Sequence, residues 1–167
     1  DMLILYYIEI DEVSDDEGFA SATLKYGMLE QVGITLQELK EYANTNLKQD
    51  YQIRSLEDIL FKFIGEDWKD EEAEDVMPMW VVTNSKGMQG AATILSKEIL
   101  TEVSTKFDSG NFAIIPSSVH ECIVLSEEID LEALRRMVYE VNSTQLQTDD
   151  ILTYNVYLYK NGELTIY

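Results

Sequence analysis

Apolar residues run almost without interruption from Met2 to Ile10, a pattern that predicts a strand buried on both faces. Phe19 to Tyr26 follows across an acidic loop that ends in Gly18, and it reads as the second strand of a hairpin. Gly33 ends a short helical turn. Thr35-Leu36-Gln37-Glu38 then has the spacing of a capping box, and Leu36, Leu39, Ala43 and Leu47 fall on one face of a helix reaching about Leu47. A further helix starts at Ser55-Leu56-Glu57-Asp58. Its apolar positions Leu56, Ile59, Leu60, Phe63 and Ile64 recur at helical spacing, and Gly65 stands where a helix stops. From Glu66 to Asp75, seven of ten residues are acidic; such a run repels itself and reads as a solvated loop.

The remainder repeats a rhythm of two strands and one helix. Met79 to Asn84 and Ala91 to Leu95 read as strands, followed by a helix from about Lys97 to Phe107 with Ile99, Leu100, Val103 and Phe107 inward. Phe112 to Ile115 and Glu121 to Leu125 read as the next strands, followed by a helix capped by Asp130 with Leu131, Leu134, Val138 and Val141 inward. Val156 to Tyr159, Asn161-Gly162 and Leu164 to Tyr167 form a strong hairpin signal. The fold class that follows is α+β: a mixed, mostly antiparallel sheet built from hairpin-plus-helix units, with helices packed against it. A chain of 167 residues is expected to form a single domain over 1–167, with the acidic loop at 66–75. The start at Asp1 inside an apolar run suggests the C-terminal part of a longer protein.

Charge narrows the partners. There are 32 acidic residues against 12 basic ones, a net charge of -20. Such a surface repels phosphate backbones, so direct nucleic-acid binding is not expected, whereas encounter with a basic protein would be accelerated. No apolar stretch approaches the roughly 18 residues of a membrane span. The lone cysteine, Cys122, sits in the apolar run Cys122-Ile123-Val124-Leu125 and suits a reducing compartment, which makes the cytoplasm the expected location.

Most motifs fail on inspection. Placing Gly18 at the sharp turn of a calcium loop puts Val13 and Leu24 where the first and last ligands belong. His120-Glu121 begins like a zincin motif, but the second histidine position is Val124, and with one histidine and one cysteine no metal site is expected. Gly87-Met88-Gln89-Gly90 lies between two predicted strands in an acidic chain and reads as a turn rather than a nucleic-acid clamp. No phosphate-binding or dinucleotide fingerprint occurs, so no cofactor is expected. Asn142-Ser143-Thr144 matches the glycosylation pattern only by chance. Tyr157 and Tyr159 alternate with Val156 and Leu158 and share a sheet face, as packing residues do.

One cluster has chemical potential. Pro116-Ser117-Ser118-Val119-His120-Glu121 supplies a candidate nucleophile in Ser117 or Ser118, a base in His120 and a nearby carboxylate. In a strand, Glu121 would point away from the His120 ring, so another acid would have to orient it. The competing reading is that Pro116 ends a strand, a serine caps a turn through backbone bonds, and His120 is a half-buried residue with a satisfied ring.

Several runs together resemble a known family: Gly33-Ile34-Thr35-Leu36-Gln37-Glu38-Leu39 with Ala43-Asn44-Thr45, Ser55 to Leu60, Val82-Thr83-Asn84 with Gly90-Ala91-Ala92, Ile114 to Glu121, and Met137 to Asn142 with Asn155-Val156-Tyr157. The chain is similar to the C-terminal part of an uncharacterised clostridial family designated domain of unknown function 5688. The Pro-Ser-Ser-x-His-Glu run is its most specific element. The resemblance implies a further N-terminal region and assigns no catalytic residue; Cys122 departs from it, standing where an aliphatic residue is expected. The leading expectation is a non-catalytic domain that binds a basic protein surface or its own missing N-terminal region. A small serine hydrolase using Ser117 or Ser118 with His120 is the enzymatic alternative, and an acidic nucleic-acid-mimic inhibitor is a third, resting on charge alone.

Overall fold

A computed structural model of the chain describes residues 2–10, 20–64 and 77–167. Their contacts group into two units, Asp1–Gln49 and Asp50–Tyr167. The acidic loops expected after Ile10 and after Ile64, with Gly65, lie outside the described residues.

In the first unit, β1 (Tyr7–Glu9) pairs antiparallel with β2 (Ser21–Thr23), Ile8 opposite Ala22, so the hairpin is present but shorter than the apolar run. Leu3 is 88% exposed, against the expectation of a strand buried on both faces. A two-stranded ribbon has too little surface of its own to cover eight apolar residues. The helix α1 (Tyr26–Val32) stops at Gly33, whose φ of 73° places it in the left-handed region and whose N–H returns to the Leu29 carbonyl. The helix α2 (Leu36–Gln49) opens on the expected capping box: Glu38 N–H donates to Thr35 Oγ1 at 3.2 Å, and Thr35 N–H donates to Glu38 Oε2 at 2.8 Å. The Thr35 N–H, with the Thr35 hydroxyl that also donates to Oε2 at 2.7 Å, holds the Glu38 carboxyl below the usual carboxylate range.

The second unit carries β3 (Gln52–Ser55), α3 (Leu56–Ile64), β4 (Met79–Thr83), a 3-10 helix (Gly90–Leu95), α4 (Lys97–Ser104), β5 (Phe112–Ile115), β6 (Cys122–Ser126), α5 (Leu131–Thr144), a 3-10 turn (Thr148–Asp150), β7 (Tyr157–Lys160) and β8 (Glu163–Ile166). The strands form one six-stranded sheet in the order β3-β4-β6-β5-β7-β8, with every pairing antiparallel. The α+β reading holds. Two elements differ from expectation. Ala91 to Leu95 belong to the 3-10 helix rather than a strand, because both edges of β4 are already taken by β3 and β6. The strand β3, too short and mixed to signal itself, takes one of those edges by setting Ile53 opposite Val82.

Alternation along the strands sorts side chains onto two faces. On one, Phe112, Ile114, Cys122, Val124, Tyr157 and Tyr159 are buried. Cys122 Sγ lies 3.8 Å from the Ala91 carbonyl, and Phe107, in the turn after α4, stacks on Phe112, so the 3-10 helix and the turn after α4 cover this face. On the other, Ala113, Ile115, Leu125 and Leu158 pack with Leu134 and Val138 of α5 and with Val156. The sheet is therefore sandwiched between two helical layers, and β5 is covered on both sides.

Asp130 caps α5 as expected, its Oδ1 accepting from Ala133 N–H at 3.0 Å. The inward stripe then steps through Leu134, Val138 and Asn142, while Val141 is 43% exposed. Asn142 continues the stripe because its Nδ2 donates to the Thr153 carbonyl at 2.8 Å, tying the helix to the segment that leads into β7. The last hairpin turns through Asn161 and Gly162 with φ of 52° and 84°, the paired left-handed geometry that Asn-Gly predicts.

Replacing Asn142 by Ala removes the buried hydrogen bond to the Thr153 carbonyl, with an expected loss of about 1–2 kcal/mol. Val141→Ala should change stability by less than about 0.5 kcal/mol. Urea unfolding of the two variants checks the order; equal effects would place the stripe elsewhere.

Candidate functional site

The Pro-Ser-Ser-x-His-Glu run is the connection between β5 and β6, whose last register pair is Ile115 with Ile123. Both strands are interior, so the connection is drawn partly into the fold: Pro116 and Ser118 are buried. A covered loop must satisfy its own polar groups. Pro116 brings no N–H. Ser117 Oγ donates to the Glu121 carbonyl at 3.1 Å and lies 3.4 Å from Glu121 Oε1. Ser118 Oγ accepts from His120 N–H at 3.0 Å, a turn closed by a side chain.

Neighbouring segments take up the remaining groups. Val119 N–H donates to the Asp150 carbonyl at 2.9 Å, and the Val119 carbonyl accepts from Ala91 N–H at 3.3 Å. The His120 carbonyl accepts from Thr83 Oγ1 at 2.7 Å. The ring is engaged too: Nδ1 accepts from Gln89 N–H at 3.2 Å, and Nε2 faces Asp150 Oδ1 at 3.6 Å. A ring that accepts at Nδ1 carries its neutral-state proton on Nε2, pointing at the Asp150 carboxylate.

His120 is thus a loop residue, not a strand residue, and the acid facing it is Asp150 rather than Glu121, which turns back to Ser117. Ser117 and Ser118 share a loop with His120, yet neither hydroxyl hydrogen-bonds its ring. A serine nucleophile needs its base within hydrogen-bond reach. Here one ring nitrogen is taken by a backbone amide and the other faces a carboxylate. The arrangement works as a clip joining residues 84–90, 116–121 and 148–150.

The Gly87-Met88-Gln89-Gly90 segment is the turn expected of it, though it leads into a helix and not a strand. Asn84 shapes it: its Nδ2 donates to the Met88 carbonyl at 2.8 Å, and its Oδ1 accepts from Met88 N–H at 3.2 Å. Gln89 itself adopts a left-handed φ of 55°. Gly90 is required by space: a Cβ there would sit 2.2 Å from Thr83 Oγ1, 2.6 Å from Asn84 N and 2.7 Å from the His120 carbonyl oxygen.

Cys122 is wholly buried, and that burial, with Glu121 beside it, pushes its thiol up, away from the thiolate form that reactive cysteines need. Tyr157 and Tyr159 are buried on the sheet face of Phe112 and Ile114, Tyr159 stacking on Phe112. Among the described residues, no group of three or more His, Cys, Asp or Glu converges as a metal site, and no helix is long and apolar enough to cross a membrane.

Asp150 carries no sequence signal, and Thr83, Asn84 and Gln89 stand in the sequence only as parts of a strand and of the Gly87–Gly90 turn, not as partners of His120. Asn84 had a local signal, since Asn followed three residues later by Gly is turn chemistry. The other three join the site only through tertiary pairing and carry no local mark.

A family model described as a family of unknown function (DUF5688) matches residues 1–161. No curated protein and no solved structure matches the chain.

Two outcomes follow. Gly90→Ala should destabilise the second unit by about 2–3 kcal/mol, because the contacts are with backbone and a buried hydroxyl; an unchanged urea midpoint would show that the turn can give way. Cys122 should resist iodoacetamide at pH 8 in the native protein and react fully once unfolded, whereas rapid native alkylation would contradict its burial.

Proposed function

We propose that this chain, which belongs to the DUF5688 family, is a non-catalytic module that binds a basic surface on another protein. The observation that carries the reading is the engagement of Ser117, Ser118 and His120 with backbone groups and Asp150, which leaves no assembled nucleophile and base. What the molecule then offers a partner is charge, 32 acidic residues against 12 basic. The same charge argues against contact with nucleic-acid phosphates. A lone buried thiol suits the reducing cytoplasm as the place of action.

The test begins with capture of partners from lysate of the source cells at low salt, followed by reconstitution with each purified candidate. A specific complex should form whose affinity falls roughly tenfold as salt rises from about 50 to 300 mM, as screened charge pairs require. A fluorophosphonate serine probe should leave the chain unlabelled. Labelling at Ser117 or Ser118 that disappears in His120→Ala would instead support the hydrolase reading, and no reconstituted complex at either salt would remove the binding one.

A further inference from the structure

We infer that the outer edge of β8 is the docking site: an extended, Lys- or Arg-bearing segment of the partner pairs with Leu164 and Ile166 and joins the sheet as another strand. The inference rests on the binding reading above and names where and how the partner is held.

β8 is the last strand in the sheet order, and all of Glu163–Ile166 is exposed. Its register decides which backbone groups face outward. Lys160 and Glu163 close a two-residue turn and form a hydrogen-bonded pair, Leu158 with Thr165 is the next such pair, and Tyr167 N–H continues the series to the Val156 carbonyl at 2.9 Å. Leu164 and Ile166 therefore direct their N–H and C=O groups away from β7. The opposite edge differs, because β3 runs straight into α3, which packs against both β3 and β4, and most of its residues are partly buried.

Sheet edges that must stay unpaired are guarded by shortness, by charged side chains and lysine above all, by proline or by a bulge. Glu163-Leu164-Thr165-Ile166 is short and carries one charge, Glu163, but has no lysine, proline or bulge. The two residues whose amides face outward are also apolar and exposed, Leu164 at 36% and Ile166 at 52%, so an incoming strand would gain main-chain bonds and side-chain contact at the same positions.

Charge selects the occupant. Tyr167 OH donates to Glu132 Oε1 at 3.3 Å, and Glu132, Asp130 and Arg135 are the charged groups that act on that phenol. Glu163 adds a carboxylate on the strand itself, while Lys160 is occupied by Glu127. The edge is thus flanked by an excess of carboxylates. A second copy of the chain, with a net charge of -20, would be repelled from it, and a basic extended segment would be drawn to it.

The probe is a set of eight-residue peptides alternating Lys with Val, Ile, Tyr or Phe, alongside versions with Glu for Lys and versions N-methylated along one edge. At low salt at least one Lys peptide should bind and slow amide exchange at Leu164 and Ile166 by about tenfold or more. The Glu and N-methylated peptides should not bind. Leu164→Pro and Ile166→Lys should each abolish binding, and Ile166→Lys, a change at an exposed side chain, keeps the test valid if the proline variant fails to fold.

Lys-peptide binding without protection at Leu164 and Ile166, or no binding by any peptide, would overturn the docking site. Concentration-dependent protection of those amides without peptide would overturn it in favour of self-association. A reconstituted partner that binds Ile166→Lys as tightly as wild type would refute the edge while leaving the binding reading intact.

Discussion

Burial of β5 on both faces is the constraint on which the second unit depends. Phe112, Ala113 and Ile114 are fully buried and Ile115 nearly so, and an all-apolar strand of this kind is stable only with a strand on each side and a layer above and below. β6 and β7 supply the neighbours, α5 one layer, and the 3-10 helix with the turn after α4 the other. Antiparallel pairing then requires the chain to reverse directly from β5 into β6, inside the covered part of the fold.

That reversal explains why the side chains of the segment richest in chemical groups are turned to backbone partners and to Asp150. A loop entering β6 beside β4 is partly covered and must satisfy most of its amides and carbonyls within the fold, and the shortest means is side chains that hydrogen-bond locally. Ser117 and Ser118 do so within the loop; Thr83, Gln89, Ala91 and Asp150 reach it from outside. A serine, a histidine and an acid adjacent in sequence are consistent with a triad and equally with a clip. Only the direction of each hydrogen bond separates the two.

Much of the fold was legible because its signals are local. The capping box at Thr35, the stop at Gly33, the cap at Asp130 and the Asn161-Gly162 turn each form within a few residues, and each stands where the residues place it. The misreadings share a cause in tertiary competition. Ala91 to Leu95 has strand-like composition, but β3 and β6 already occupy both edges of β4. Val141 fits an apolar helical template better than Asn142, yet the Thr153 carbonyl makes Asn142 the inward residue. The candidate site divides in the same way: its serines and histidine were visible, whereas Asp150 and Gln89 arrive from distant segments.

With a structural clip where a catalytic pair was the alternative, recognition is the role we propose, acting through the acidic surface and the outer edge of β8. The central claim is that His120 is held by the Gln89 amide. Because the chain has a single histidine, the imidazole nitrogens can be observed by NMR without ambiguity. At a pH where the ring is neutral, a scalar coupling across the hydrogen bond between the Gln89 amide nitrogen and His120 Nδ1, with the ring proton on Nε2, is the predicted result. A ring protonated at Nδ1, or no coupling with a Gln89 amide that exchanges as fast as an open loop, would contradict the clip and return His120 to the candidates for a base.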